Sequence, residues 1–112
     1  MFRVQDINIL NTAKNIISSE AENAGYKAEA IYLFGSRARG DYKEYSDWDF
    51  FVVIDKEFSR SEKIALTSNI RKRLSDFIAS DIIVKSHKKL LQEKGDKGLI
   101  SYYVLKDGVK LG

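Results

Sequence analysis

The chain contains no cysteine and no proline, and only one histidine, one tryptophan and one methionine in 112 residues. Without cysteine there is no disulfide and no thiolate metal site, which accords with a cytoplasmic protein. No apolar run approaches the ~18 residues that a bilayer span requires. The N-terminal stretch Met1-Phe-Arg-Val-Gln-Asp6 lacks the charged-then-apolar plan of a signal peptide. There is no low-complexity segment and no internal repeat. Nor is there a strongly basic tract: a net charge of +3 is a small, evenly mixed excess. Direct binding of nucleic acid is therefore not expected.

What is present describes one ordinary domain. Hydrophobic residues make up 44% and charged residues 31% of the chain, which suits a folded protein with one modest core. The expected class is α/β, or α+β in stricter terms. A small mixed β-sheet should carry helices packed mainly on one face, with acidic residues at its open face or edge.

The chemistry concentrates between residues 31 and 54. An apolar run, Ile31 to Phe34, stops at Gly35-Ser36; ten residues later Asp47-Trp48-Asp49 opens a second run, Phe50 to Ile54. Short apolar runs rich in β-branched and aromatic residues predict buried strands. Side chains two apart on a strand share a face, about 6.6 Å apart along it. Asp47 and Asp49 thus form a same-face carboxylate pair, and a hard cation such as Mg²⁺ or Mn²⁺ would relieve their repulsion. Gly35 permits a sharp turn and close approach of a ligand. If Ser36 opens a helical turn, its free backbone N–H groups offer an anion site. Arg37 and Arg39 add positive charge, and Arg matches phosphate geometry. Together these residues describe a site for a metal–triphosphate complex.

The joint pattern resembles the signature of the DNA polymerase beta nucleotidyltransferase superfamily. Leu33-Phe-Gly-Ser-Arg-Ala-Arg-Gly40 and Ser46-Asp-Trp-Asp-Phe50 are similar to the wording of its minimal nucleotidyltransferase (MNT) branch, over nearly the whole chain. The resemblance implies a third acid on a neighbouring strand. Asp81 heads the apolar run Ile82-Ile83-Val84 and is preferred to Asp76, which falls within a helical pattern.

Around this centre the chain reads as follows. Apolar spacing predicts a helix over 6–24, with Asp6 as N-cap and Gly25 as the stop. Strands are expected over 28–34, 48–54 and 80–84, with a helical turn over 36–39 and a loop over 40–45. On the second strand, Trp48, Phe50, Val52 and Ile54 should share one face, and Asp47, Asp49, Phe51 and Val53 the other. A helix over 61–78 is capped by Ser59 or Ser61, and its Arg71, Lys72 and Arg73 read as a solvated face. A less regular helix over 87–105, interrupted by Gly95 and Gly98, precedes a short extended tail. His87 reads as a surface residue or helix start. Tyr42 and Tyr45 either stack on a base or pack the loop, and Arg39 either meets phosphate or pairs with Asp41 or Glu44. Residues 99–105 either form a partner surface or join the core.

The resemblance implies transfer of AMP from ATP to a hydroxyl. Gly35, Ser36 and Arg37 would bind the nucleotide. Asp47, Asp49 and Asp81 would be the catalytic carboxylates and hold two Mg²⁺ ions, with Mn²⁺ as a substitute. Asp81 is the candidate general base. The MNT branch pairs with helical HEPN-domain toxins as their antitoxins, so the implied acceptor is a tyrosine on a separate HEPN partner. A homodimer is the other expected way of holding an acceptor. The competing expectation is a non-catalytic module that neutralises its HEPN partner by complex formation.

Overall fold

A computed structural model describes residues 2–112. The first helix, α1, spans Val4–Asn23. It begins two residues earlier than the spacing predicts, because Asp6 is not the N-cap. Asp6 lies at the third helical position, where its carboxylate accepts from the backbone N–H and the Nε of Arg3, each at 3.2 Å. An acid in the first turn meets the positive end of the helix dipole. At the other end Gly25 takes φ +88°. There Tyr26 N–H donates to Ala21 O and Gly25 N–H to Glu22 O, the Schellman pattern that ends helices.

The strands fall where the apolar runs place them: β1 is Ala28–Phe34, β2 is Trp48–Ile54 and β3 is Ser80–Ser86. A two-residue β4, Val109–Lys110, is the short extended tail. The sheet runs β3-β2-β1-β4. The β1–β2 and β1–β4 pairs are antiparallel, and β2–β3 is parallel. Between β1 and β2 lies the single turn α2, Ser36–Arg39. The crossover from β2 to β3 carries α3, Arg60–Leu74.

Helix α3 is opened by a capping box between Ser59 and Glu62. It ends at Leu74, four residues short of the expected boundary. Ser75 and Asp76 disfavour continuation because their side chains compete for backbone groups, and Ser75 Oγ bonds the Lys72 carbonyl. Phe77 thereby leaves the helix and stands exposed. The expected helix over 87–105 is two helices, α4 (His87–Glu93) and α5 (Ile100–Asp107). His87 opens α4, 3.1 Å from Glu29.

The pleat of β2 divides the interior. Trp48, Phe50, Val52 and Ile54 face the larger core with Leu10 and Ile17 of α1 and Ile70 and Leu74 of α3. Phe51 and Val53 face the smaller one, with Leu90 of α4 and Val104 of α5. The two long helices thus cover one face, while α4 and α5 cover only part of the other. Asp49, two residues before Phe51, comes out on the less covered face. No described helix is long and apolar enough to cross a membrane.

Candidate active site

The site lies where β1 ends and β2 and β3 begin. Register brings its parts into one row: Asp49 is opposite Phe34 on β1 and opposite Asp81 on β3. Residues in register share a face. Asp81, Asp49 and Phe34 therefore follow one another across the sheet end, with Gly35 next after Phe34 and Asp47 just ahead of β2.

Gly35 is where the backbone turns from β1 into α2. It adopts φ +73°, ψ −157°, a conformation reserved for glycine, and its carbonyl accepts from the N–H groups of Ala38 and Arg39, each at 3.1 Å. A Cβ built on it would fall on the Asp49 carboxylate oxygen Oδ2. The missing side chain is thus the space that the Asp49 carboxylate fills. The first backbone N–H groups of α2 precede any i→i−4 partner, as at every helix start.

The carboxylates burden one another. The Asp49 carboxyl is pushed above its usual range by burial, then by the charges of Asp81 and Asp47, with Arg39 acting in the opposite direction. Asp81 meets the guanidinium of Arg71 at 3.7 Å, with both side chains about half exposed. Among the described residues no three carboxylate or imidazole groups close into a cage for an ion. An open set of hard oxygens, with Asp49 part-buried between the exposed Asp47 and Asp81, still suits a divalent cation. Magnesium keeps several waters and takes its remaining ligands from one or two carboxylates and substrate phosphates.

Arg37, expected as a phosphate contact, bonds its own loop. It is buried, at 6% exposure. Its Nη2 donates to the carbonyls of Glu44 at 2.9 Å and Ser46 at 3.0 Å. The guanidinium sits 4.4 Å from the ring centroids of both Tyr42 and Trp48. Its Nε and Nη2 are engaged by these carbonyls and two aromatic rings lie against it, so it braces the loop that delivers Asp47. The hint in the sequence was an Arg followed within eleven residues by Tyr42 and Trp48. Arg39 is the exposed cation of this turn, 3.4 Å from Asp41. Arg71, read from the sequence as part of a solvated face, was missed as a neighbour of the acids. Only the packing of α3 beside β3 reveals it.

A glycine turn against a row of carboxylates at the strand ends of a mixed sheet is an arrangement able to hold a phosphate-bearing ligand through a divalent cation. Residues 11–111 match the family described as Polymerase beta, Nucleotidyltransferase, and the chain belongs to that family. No curated protein matches it. It is similar to a solved structure described as a nucleotidyltransferase from Sulfolobus solfataricus, with 31% identity and a TM-score of 0.56 over 93% of this chain and 79% of that one. It also shares its fold with a toxin–antitoxin solved with AMP-PNP, with 21% identity and a TM-score of 0.61 over 88% of this chain and 72% of that one.

Proposed function

We propose that this nucleotidyltransferase moves AMP from ATP to a tyrosine hydroxyl of a separate HEPN-domain toxin, and so acts in the cytoplasm as that toxin's antitoxin. The observation that carries the reading is the Asp49 carboxylate filling the space left by Gly35, in register with Asp81. That contact supports one ligand meeting both the carboxylates and the turn. The fold shared with a toxin–antitoxin solved with AMP-PNP supports the choice of partner.

In this reading the backbone of Gly35-Ser36 receives the triphosphate. Asp47 and Asp49 would hold two Mg²⁺ ions, with Asp81 joining one of them. Magnesium bound there draws charge from the phosphates and lowers the pKa of the acceptor hydroxyl. Arg37 holds the loop that sets Asp47 in place. Asp81, at the open strand edge, takes the acceptor's proton. The acceptor oxygen bonds to the α-phosphorus as the bond to the bridging oxygen breaks, and pyrophosphate leaves.

A second reading, a module that masks its partner without chemistry, is favoured by the Arg71–Asp81 pair, which occupies the third acid. Intact-mass spectrometry separates the two. A candidate HEPN-domain toxin is incubated with this chain, Mg²⁺ and ATP. Mass gains of whole AMP units, absent with Asp47→Asn, are expected. A stable inhibitory complex with no mass gain would establish the masking module instead.

A further inference from the structure

Strand β3 is an edge of the sheet, paired only with β2. Trp48 N–H donates to Ala79 O at 2.9 Å, which fixes the alternation along the strand. The backbone groups of odd-numbered residues turn toward β2, and those of Ser80, Ile82 and Val84 turn outward. No backbone carbonyl of the described residues meets these outward N–H groups. Native proteins blunt such an edge with proline, a bulge or a cover. This chain has no proline, and the β2–β3 register runs without a shift. Beside Val84, Lys85 and Ser86 the edge opens onto a cavity of about 430 Å³, flanked by Lys63 and Lys89.

The side chains of this edge are balanced about Ile83. Asp81 precedes it by two residues and Lys85 follows it by two, and all three share the sheet face of Asp49. An antiparallel copy of β3, with its two-fold axis at Ile83, therefore sets Asp81 opposite Lys85 of the second copy, once on each side of the axis. Ile83 meets its own equivalent, Ile82 and Val84 exchange main-chain bonds, and Ser80 comes opposite Ser86. Ser80 Oγ is buried with no hydrogen-bond partner among the described residues, and facing hydroxyls bond across strands. Lys85 stands 3.2 Å from Glu93 of its own chain, and its ammonium has further N–H donors for Asp81. The present partner of Asp81, Arg71 at 3.7 Å, forms a half-exposed and therefore weak pair. Ile64 lies two helical turns before Arg71 on the same face of α3, and it is 54% exposed. The α3 helix of a second copy would cover it.

We propose that two copies of this chain pair through β3, antiparallel about Ile83, and join their four-stranded sheets into one. Main-chain bonds supply the attachment, and the exchange of Asp81 against Lys85 sets the register. Lys85 of the second copy then stands at the outer end of the carboxylate row. The Asp81 side chain rises from the sheet face, so pairing through the backbone leaves it open to a ligand at the site.

The test is analytical ultracentrifugation of the full chain across a dilution series, joined to cysteine cross-linking. The native chain should sediment as a dimer, at twice the 12.8 kDa of one chain. Asp81→Lys, which sets like charges opposite each other on both sides of the axis, should weaken the dimer by roughly tenfold. Ile83→Cys adds a cysteine to a chain that has none. Opposed positions of this kind lie about 4.5 Å apart at Cα, within disulfide reach, so mild oxidation should lock the dimer covalently. Asp81→Cys alone should not cross-link, whereas a mixture of Asp81→Cys and Lys85→Cys chains should. A chain that stays monomeric at every concentration overturns the pairing. So does a dimer that Asp81→Lys leaves equally tight, or one in which Ile83→Cys links no better than Asp81→Cys.

Discussion

A methyl group at residue 35 has nowhere to go. Gly35→Ala would meet the Asp49 carboxylate and also adopt a positive φ. The chain supplies its own control, because Gly25 has φ +88° with open space around the position of a Cβ. Gly25→Ala should cost about 1 kcal/mol in urea denaturation and leave Mg·ATP binding intact. Gly35→Ala should cost more, on the order of 2–3 kcal/mol, and abolish binding. Asp49 gives the opposite sign. Its folded-state carboxyl is raised above the unfolded value, so its ionisation opposes folding once pH exceeds the unfolded value. In EDTA, Asp49→Asn should raise Tm at pH 7, and the gain should fade as pH drops below 4. A uniform gain at both pH values would show that charge is not the cause. The carboxylate pair and the glycine turn were legible because Gly-Ser and Asp-x-Asp are local patterns. The bonds of Arg37 to its own loop were not, because a guanidinium aimed at phosphate and one aimed at carbonyls look alike until the loop is folded.

At the scale of elements, one buried acid ties the smaller layer together. Glu93 of α4 accepts from Ser101 Oγ of α5 at 2.8 Å and stands 3.2 Å from Lys85 Nζ of β3. Burial pushes its carboxyl up, but the bonds from Ser101 and Lys85 outweigh burial and hold it below its usual range. The stability it contributes is therefore present above the unfolded pKa and lost as pH falls through the folded one. Glu93→Ala should cost about 2 kcal/mol, from lost charge-assisted bonds and an unpaired Ser101 hydroxyl. Thermal unfolding at pH 7 and pH 4 should show the gap between native and variant closing in acid. The three strands and the turn α2 were readable from apolar runs and glycine alone. The break between α4 and α5 was harder, since glycine inside a helical pattern weakens a helix without dictating where it stops. The ends of α1 and α3 went astray by a few residues because caps decide ends. Arg3 with Asp6, and Ser75 with the Lys72 carbonyl, are side-chain bonds that no periodicity encodes.

The molecule as a whole is a sheet with its long helices on one face and its acids at one end of the other. Such a layout leaves the site open until a ligand arrives, and like charges at Asp49, Asp47 and Asp81 oppose the folded state meanwhile. Ligand binding should therefore repay more stability here than at a neutral cleft. A ligand at a hundred times its Kd stabilises the native state by about 2.7 kcal/mol. For a domain of this size that raises Tm by roughly 10 °C. Mg²⁺ with ATP should produce such a shift in a thermal scan, while ATP in EDTA should produce little of it. Asp47→Asn should lose most of the shift, and its Tm without ligand should equal or slightly exceed the native value, because Asp47 is exposed, sits outside both cores and repels Asp49. If ATP in EDTA stabilises the chain as strongly as Mg·ATP, the phosphates are held by the turn at Gly35 and by arginine alone. The carboxylate row would then be an acceptor-facing surface, and the assignment of Asp47 and Asp49 as cation ligands would fail.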